Sequence, residues 1–383
     1  MSMSPNLRFT DGKSFRLFTE GVQALQSYER NARQGALETA AERFNECVSN
    51  YRDVLPRLYL GMVRVHQGEA FEEAVTLLED VLSRDIPELR PTAKYYLAEA
   101  HVSTYRPKDI ERADELLQEV IADATASLSD HLRAEGLRIF NYIRQTLWRN
   151  RTKAIDLVKE ESLADQRLEN YKARLSDPKV KGELKASLWA DYWNANGLLQ
   201  EFRANRAQDG PARTSLTQSS LAGFRKAVEY GANRADAKSN EARVQYDLLH
   251  DAEAAIRLCR EVLAIRENDS FANLLLGKIS EDSNRFAEAL DFYQKAEAKF
   301  PEASLGAGRC YERLGNVQEA IAAYAKVPDS DRRFGEASLR TGALNQVLGR
   351  TEEALKAYKL VPKDDDAFFQ EAQHAIEVLQ KRS

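Results

Sequence analysis

Between residues 270 and 362 the apolar positions fall three and four apart, in short blocks separated by polar turns. Gly277, Ala289, Tyr293 and Ala296 stand at gaps of 12, 4 and 3, and so do Gly308, Ala320, Tyr324 and Val327. Gly342, Ala354, Tyr358 and Val361 repeat the gaps a third time. Gaps of three and four place side chains on one face of a helix. A gap of 12 that contains Leu314-Gly315-Asn316 or Leu348-Gly349-Arg350 leaves room for a turn between two helices. Each block therefore predicts a helical hairpin, with Gly315 and Gly349 suited to the left-handed residue that ends the first helix. The small Gly and Ala positions let two helices approach closely, and the tyrosine fills the space beside them.

Upstream the pattern persists with less regularity. Ala255, Cys259 and Val262 keep the last two gaps, with Arg243 where the glycine would stand. Leu60-Gly61, a turn at His66-Gln67-Gly68, and then Phe71, Ala74 and Val81 predict another hairpin. Tyr96-Leu97-Ala98 leads to Ala113, Leu117 and Val120 through a longer turn, and Ala40, Phe44 and Cys47 read as a second helix. Trp193 and Gly197 read as a first helix whose partner carries Phe224 and Ala227. The intervening polar stretch predicts a long surface loop near 203–219. Residues 130–182 are helical in composition but off-register. After Pro362, Asp364 to Asp366 open a last helix with Phe369, Ala372, Ile376 and Leu379 on one face. Acidic residues there suit a helix start.

A hairpin with an apolar side that it cannot cover alone must stack on its neighbours. The spacing and the residues together resemble the tetratricopeptide repeat, a helix-turn-helix unit, most specifically in 236–362. The best match is Leu276-Gly277, Ala289, Tyr293, Ala296 and Pro301, with Asn273 where the family has an aromatic. The resemblance implies an all-α, right-handed α-solenoid of stacked repeats with a C-terminal capping helix. The expected organisation is a tail over 1–13, tetratricopeptide-like repeats over 14–129, irregular long helices or a degenerate repeat over 130–182, further repeats over 183–365, and the cap over 366–383.

Composition agrees with helix throughout. Of 383 residues 30% are charged, with only 18 Gly and 10 Pro, and no run alternates with the period of a strand. The formal net charge of −5 argues against a globally basic nucleic-acid binder. No run of 18 apolar residues predicts a membrane span, so no membrane insertion is expected. The first residues lack the apolar core of a signal peptide. Cys47, Cys259 and Cys310 form no CxxC and lie among apolar neighbours, which suits buried thiols in a reducing compartment; the cytoplasm is the expected location.

No phosphate-binding glycine loop, nucleophile elbow or metal-ligand spacing is present, and the five histidines are scattered. An enzyme, a metal and a cofactor are accordingly not expected. Two regions stand out instead. By the resemblance, first helices line the concave side, where the family binds peptides. On that side Lys278, Glu281, Arg309, Arg313, Arg340 and Gln346 are the candidate contacts for a protein or peptide partner, with Met62, His66 and Glu99 in earlier units. The second region is 138–151, RIFNYIRQTLWRNR. Arg138, Arg144, Trp148, Arg149 and Arg151 combine basic and aromatic character in the way that grips phosphates and stacks bases, or that meets an acidic protein. The same stretch also reads as a helix that packs Ile139, Ile143 and Leu147 inward. The sequence thus predicts a non-enzymatic scaffold or adaptor, within a larger complex. The alternative is a ligand-responsive regulator that binds a small peptide or nucleic acid through 138–151.

Overall fold

The computed structural model describes residues 9–31, 34–68, 71–104, 107–144, 156–231, 234–363 and 366–382. Among these residues every regular element is helical. The chain divides into two compact units, Met1–Glu267 and Asn268–Ser383. The boundary falls inside the stretch that the repeat spacing assigned to one array over 183–365.

The first unit contains α1 (Gly12–Asn31), α2 (Gln34–Asn50), α3 (Val54–Gln67), α4 (Phe71–Ser83), α5 (Arg90–Ser103) and α6 (Pro107–Ala122). It continues with α7 (Leu128–Tyr142), α8 (Leu157–Leu175), α9 (Gly182–Arg206), α10 (Pro211–Tyr230), α11 (Ala235–Asp247) and α12 (Ala252–Ile265). The second unit contains α13 (Ser270–Asp282), α14 (Phe286–Ala296), α15 (Pro301–Arg313), α16 (Val317–Tyr324), α17 (Phe334–Val347), α18 (Thr351–Lys359) and α19 (Asp366–Arg382). Odd and even helices pair as hairpins, and each first helix also touches the next first helix in α1–α3, α3–α5, α5–α7, α7–α9 and α13–α15. In each unit the first helices therefore make one layer and the second helices another. The two units are solenoids of stacked hairpins, and α19 covers the open side of α17 and α18.

One packing device recurs. A Cβ on Gly277, Gly308 or Gly342 would lie within 2.7, 2.2 or 2.5 Å of the ring of Tyr293, Tyr324 or Tyr358. The glycine is thus a socket for the tyrosine of the second helix, and Ala289, Ala320 and Ala354 are fully buried beside it. In the first unit Phe44 occupies the socket at Gly21, Leu78 that at Gly61, Tyr171 that at Gly136 and Phe224 that at Gly197. Each such side chain removes enough apolar surface to contribute roughly 2 kcal/mol. The turn glycines Gly315 and Gly349 adopt φ of 78° and 71°, as the sequence predicted, because an L side chain is strained there.

The expected loop over 203–219 is not a loop. α9 runs on to Arg206 and α10 begins at Pro211, so only a short connection remains. Pro211 sits at the start of α10, where a missing N–H costs nothing. The extra residues lengthen both helices instead, and Ser220 on α10 donates to the Gly197 carbonyl at 2.9 Å across the hairpin. In the segment expected to be irregular, α7 and α8 form a pair of unequal helices, with α7 opened by a capping box between Ser127 and Asp130. At the N-terminal end, Thr10 is anchored rather than trailing: its backbone N–H and hydroxyl both donate to Asp53, at 2.9 and 2.7 Å. Asp364 and Asp365 lie outside the described residues.

Candidate functional site

The first-helix layer of the second unit carries the residues that the family resemblance singled out. Glu281 ends α13, Arg309 and Arg313 follow on α15, and Arg340 and Gln346 on α17. The structure brings Glu281, Arg309, Arg313 and Arg340 together. With Asp282, Asn284, Phe286 and Glu312 they line a concavity of about 340 Å³. Lys278 and Gln346 are not part of that lining.

Most of these charges are held by partners within the unit. Glu281 accepts two hydrogen bonds from Arg309, at 2.7 and 3.0 Å, and a third from the Tyr293 hydroxyl. Arg309 also stands 3.8 Å from Glu336. Arg340 donates to Glu336 at 2.8 Å and to Glu312 at 3.5 Å, while the Tyr324 hydroxyl donates to Glu312. Tyr358 repeats the contact one hairpin later, donating to Gln346 at 3.0 Å. Lys278 lies 3.8 Å from Glu302, which also receives Arg333. The result is a ladder in which each second-helix tyrosine reaches its own first helix, and each arginine bridges to the preceding hairpin. Bidentate, charge-assisted bonds of this kind fix geometry as well as charge. Burial works against the charge on Arg309, but the Glu281 bonds and charge outweigh it and hold its pKa above the ordinary range. Burial, then the Glu281 hydrogen bond, push Tyr293 upward, so its hydroxyl stays a donor.

Arg313 is different. It is solvent-exposed, and its guanidinium stands 5.1 Å from the Phe286 ring centroid. A guanidinium laid on an aromatic face keeps its donors for other groups. Beside it, Asn284 turns the chain with a φ of 58°. A second concavity of about 320 Å³ lies among Glu302, Leu305, Arg309, Arg332, Arg333, Glu336 and Phe368, and Arg332 there is exposed. The contributions of Phe286, Arg332 and Phe368 were missed at the level of sequence. Phe286 was legible as an aromatic two residues after the turn; Phe368 joins α15 and α17 only through the position of α19.

The basic–aromatic segment is placed in part. Arg138 pairs with Asp114 at 2.7 and 3.2 Å, and Arg144 donates to the Val102 carbonyl at 3.1 Å while lying 5.6 Å from the Phe140 ring centroid. Ile139 and Ile143 are buried, and Tyr142 donates to Glu160. The structure thus engages these two arginines inside the first unit. Trp148, Arg149 and Arg151 lie outside the described residues.

The three cysteines are buried and not joined in disulfides. Burial pushes the Cys47 thiol up to about 11 and the Cys310 thiol to about 12, so neither is a nucleophile at neutral pH. No helix among the described residues is long and apolar enough to cross a membrane.

Stacked hairpins, most of them with a glycine socket, and a charged first-helix layer define a helical-repeat protein. Residues 274–333 match the sequence profile of the tetratricopeptide repeat family, so this part of the second unit carries tetratricopeptide repeats. No curated protein matches the chain. Among solved structures it is similar to YrrB, a TPR protein with an unusual peptide-binding site, at 20% identity over 55% of this chain and 99% of that one, with a TM-score of 0.39. It is also similar to PilW, a type IV pilus biogenesis factor, at 16% identity over 60% of this chain and 90% of that one, with a TM-score of 0.41. Similarity to the TPR2AB domain of yeast Sti1 in its pHSP90 complex is 14% in identity, over 82% of this chain and 98% of that one, with a TM-score of 0.25.

Proposed function

We propose that the protein is a non-enzymatic scaffold that holds an extended segment of a partner protein on the first-helix layer of its second unit. The observation that carries this reading is the concavity at Arg313, where an exposed guanidinium rests on Phe286 above charges locked in internal pairs. A surface fixed by its own ion pairs loses little entropy on binding, so many shallow contacts add up. Arg313 supplies the polar contact that the ladder does not consume, and Phe286 an apolar one. The buried thiols, not joined in disulfides, suit a reducing compartment, which supports placing the scaffold in the cytoplasm. The described part of 138–151 does not favour nucleic acid, since Arg138 and Arg144 already have partners within the fold.

The test is recovery of the partner with tagged protein purified from its own cells. Arg313→Glu is expected to lower recovery at least tenfold while leaving the circular-dichroism melt unchanged, because Arg313 is exposed. Full recovery with the reversed charge contradicts the assignment.

A further inference from the structure

The segment that leads into α1 is fastened to the turn between α2 and α3. Asp53 stands at the N-cap position of α3, with φ −64° and ψ 139°, yet its side chain makes no cap bond to that helix. The sequence supplies a reason. An N-cap carboxylate ordinarily accepts from the backbone N–H of the second or third helical residue. In α3 the third residue is Pro56, which has no N–H. The Asp53 carboxylate turns instead to residues 43 and 39 positions earlier. One oxygen accepts from the Thr10 backbone N–H at 2.9 Å and from the Thr10 hydroxyl at 2.7 Å, and the other from the Ser14 hydroxyl. Arg57, one turn on, is engaged elsewhere: it donates to the Asp53 backbone carbonyl at 2.6 Å and pairs with Asp80 at 3.2 Å.

Phe9 completes the attachment. Its ring centroid lies 5.3 Å from that of Phe15 and 4.9 Å from that of Phe18, and Phe18 meets Tyr59 on α3 edge to face at 5.1 Å. Phe9 thus extends the aromatic contact between the first two hairpins. Behind this contact Ser14 and Cys47 are both fully buried, and the Cys47 thiol donates to the Ser14 carbonyl at 3.5 Å. Neither helix depends on the attachment for its own end. Asp11 accepts from the Ser14 N–H at 2.8 Å and so caps α1, while α3 does not use Asp53 as a cap. Phe9 and Thr10 belong to no helix, and Thr10 is exposed. A segment with so few fastenings opens at a lower free energy than the unit it covers.

We propose that Phe9 and Thr10 form a releasable clasp on the first two hairpins, with Asp53 as its receptor, and that opening of the clasp controls access to the Cys47 thiol. In the closed state the thiol is covered, and burial holds it at about 11, where it is unreactive. Opening takes Phe9 off Phe15 and Phe18 and the two Thr10 donors off Asp53. The start of α1 is then held by Ser14 alone and is free to move away from Cys47. The clasp is independent of the partner surface proposed for the second unit, and either assignment can fail without the other.

The test is pulse labelling of the full chain with N-ethylmaleimide, with each labelled cysteine located by peptide mass spectrometry. Cys259 and Cys310 are buried as well and serve as internal references, one in each unit. In the wild type Cys47 is expected to react about tenfold faster than either reference, because local opening precedes unfolding of a unit. Thr10→Val removes a hydroxyl donor to a carboxylate and is expected to raise the Cys47 rate about tenfold, with both references unchanged. Thr10→Ser keeps the donor and is expected to label like the wild type. A Cys47 rate that Thr10→Val leaves unchanged overturns the proposal. So does a parallel rise at all three cysteines, which would make Thr10 a support of the whole fold and not of a clasp.

Discussion

The Tyr293 hydroxyl donates to the carboxylate of Glu281, twelve residues earlier on the facing helix. Tyr324 and Glu312 repeat the relationship, and Tyr358 and Gln346 repeat it with an amide in place of the acid. The same tyrosine ring fills the glycine socket one turn away. One residue thus closes the hairpin core and holds the acid that receives the next hairpin's arginine.

Removing that hydroxyl tests the link. Tyr293→Phe keeps the ring in its socket and leaves Glu281 with Arg309 alone. A loss of about 1 kcal/mol in stability is expected, read from the midpoint of urea unfolding.

The pair between hairpins is expected to be cooperative. Glu281→Gln and Arg309→Gln, alone and combined, form a double-mutant cycle, and the coupling energy is expected to be about 1–3 kcal/mol. Glu281 and Arg309 side chains are only 15% and 30% exposed, so solvent screening is modest.

The glycine sockets tolerate nothing larger. Gly308→Ala would put a methyl group 2.2 Å from the Tyr324 ring, and a loss of about 1–3 kcal/mol is expected. Gly315→Ala meets nothing in space, but its φ of 78° makes the expected cost about 1 kcal/mol. Thermal unfolding of the two variants should rank them in that order.

His66 and Glu99 oppose each other in the pH dependence of stability. Burial, then Arg266, Arg133 and Arg234, lower His66 from 6.5 to about 4, so between those values the unfolded chain binds more protons and stability rises with pH. Burial, then Asp191, raise Glu99 from 4.5 to about 7, so across that window the folded chain binds more protons and stability falls with pH. The two slopes largely cancel in the wild type. Glu99→Gln is expected to uncover a stability that climbs from pH 4 to 6.5, and His66→Gln one that declines from pH 4.5 to 7, each by about 2–3 kcal/mol. Urea titrations at four pH values measure both.

The hairpins were legible in the sequence because their packing needs fixed residue types at fixed spacing. Gly308, Ala320 and Tyr324 are read directly, since a socket, a close approach and a filler admit few substitutes. The ladder left a fainter signal: Glu281 to Arg309 and Glu312 to Arg340 are both 28 residues apart, and the equal interval marks a contact repeated between hairpins. Where hairpins vary in length that interval is lost. Arg243 replaces a glycine and pairs with the buried Glu201, 42 residues away, at 2.8 and 2.6 Å. The stretch near 203–219, read as a loop, holds Pro211 and was misjudged for a related reason. A proline breaks a helix interior but opens a helix, and only the packing of Ser220 on Gly197 distinguishes the two. The charges gathered around Glu99 were out of reach, because Arg133, Asp191, Arg234 and Arg266 come from different helices or their ends, at irregular spacing.

The central claim is that a partner is held where the first-helix residues do not repeat. A photo-crosslinking amino acid at position 313, compared with one at position 356 on the exposed face of the second helix α18, measures it directly. Cross-links to a partner from position 313 and none from position 356 are predicted in intact cells. Cross-links from position 356 alone would place the binding surface on the other layer and contradict the account.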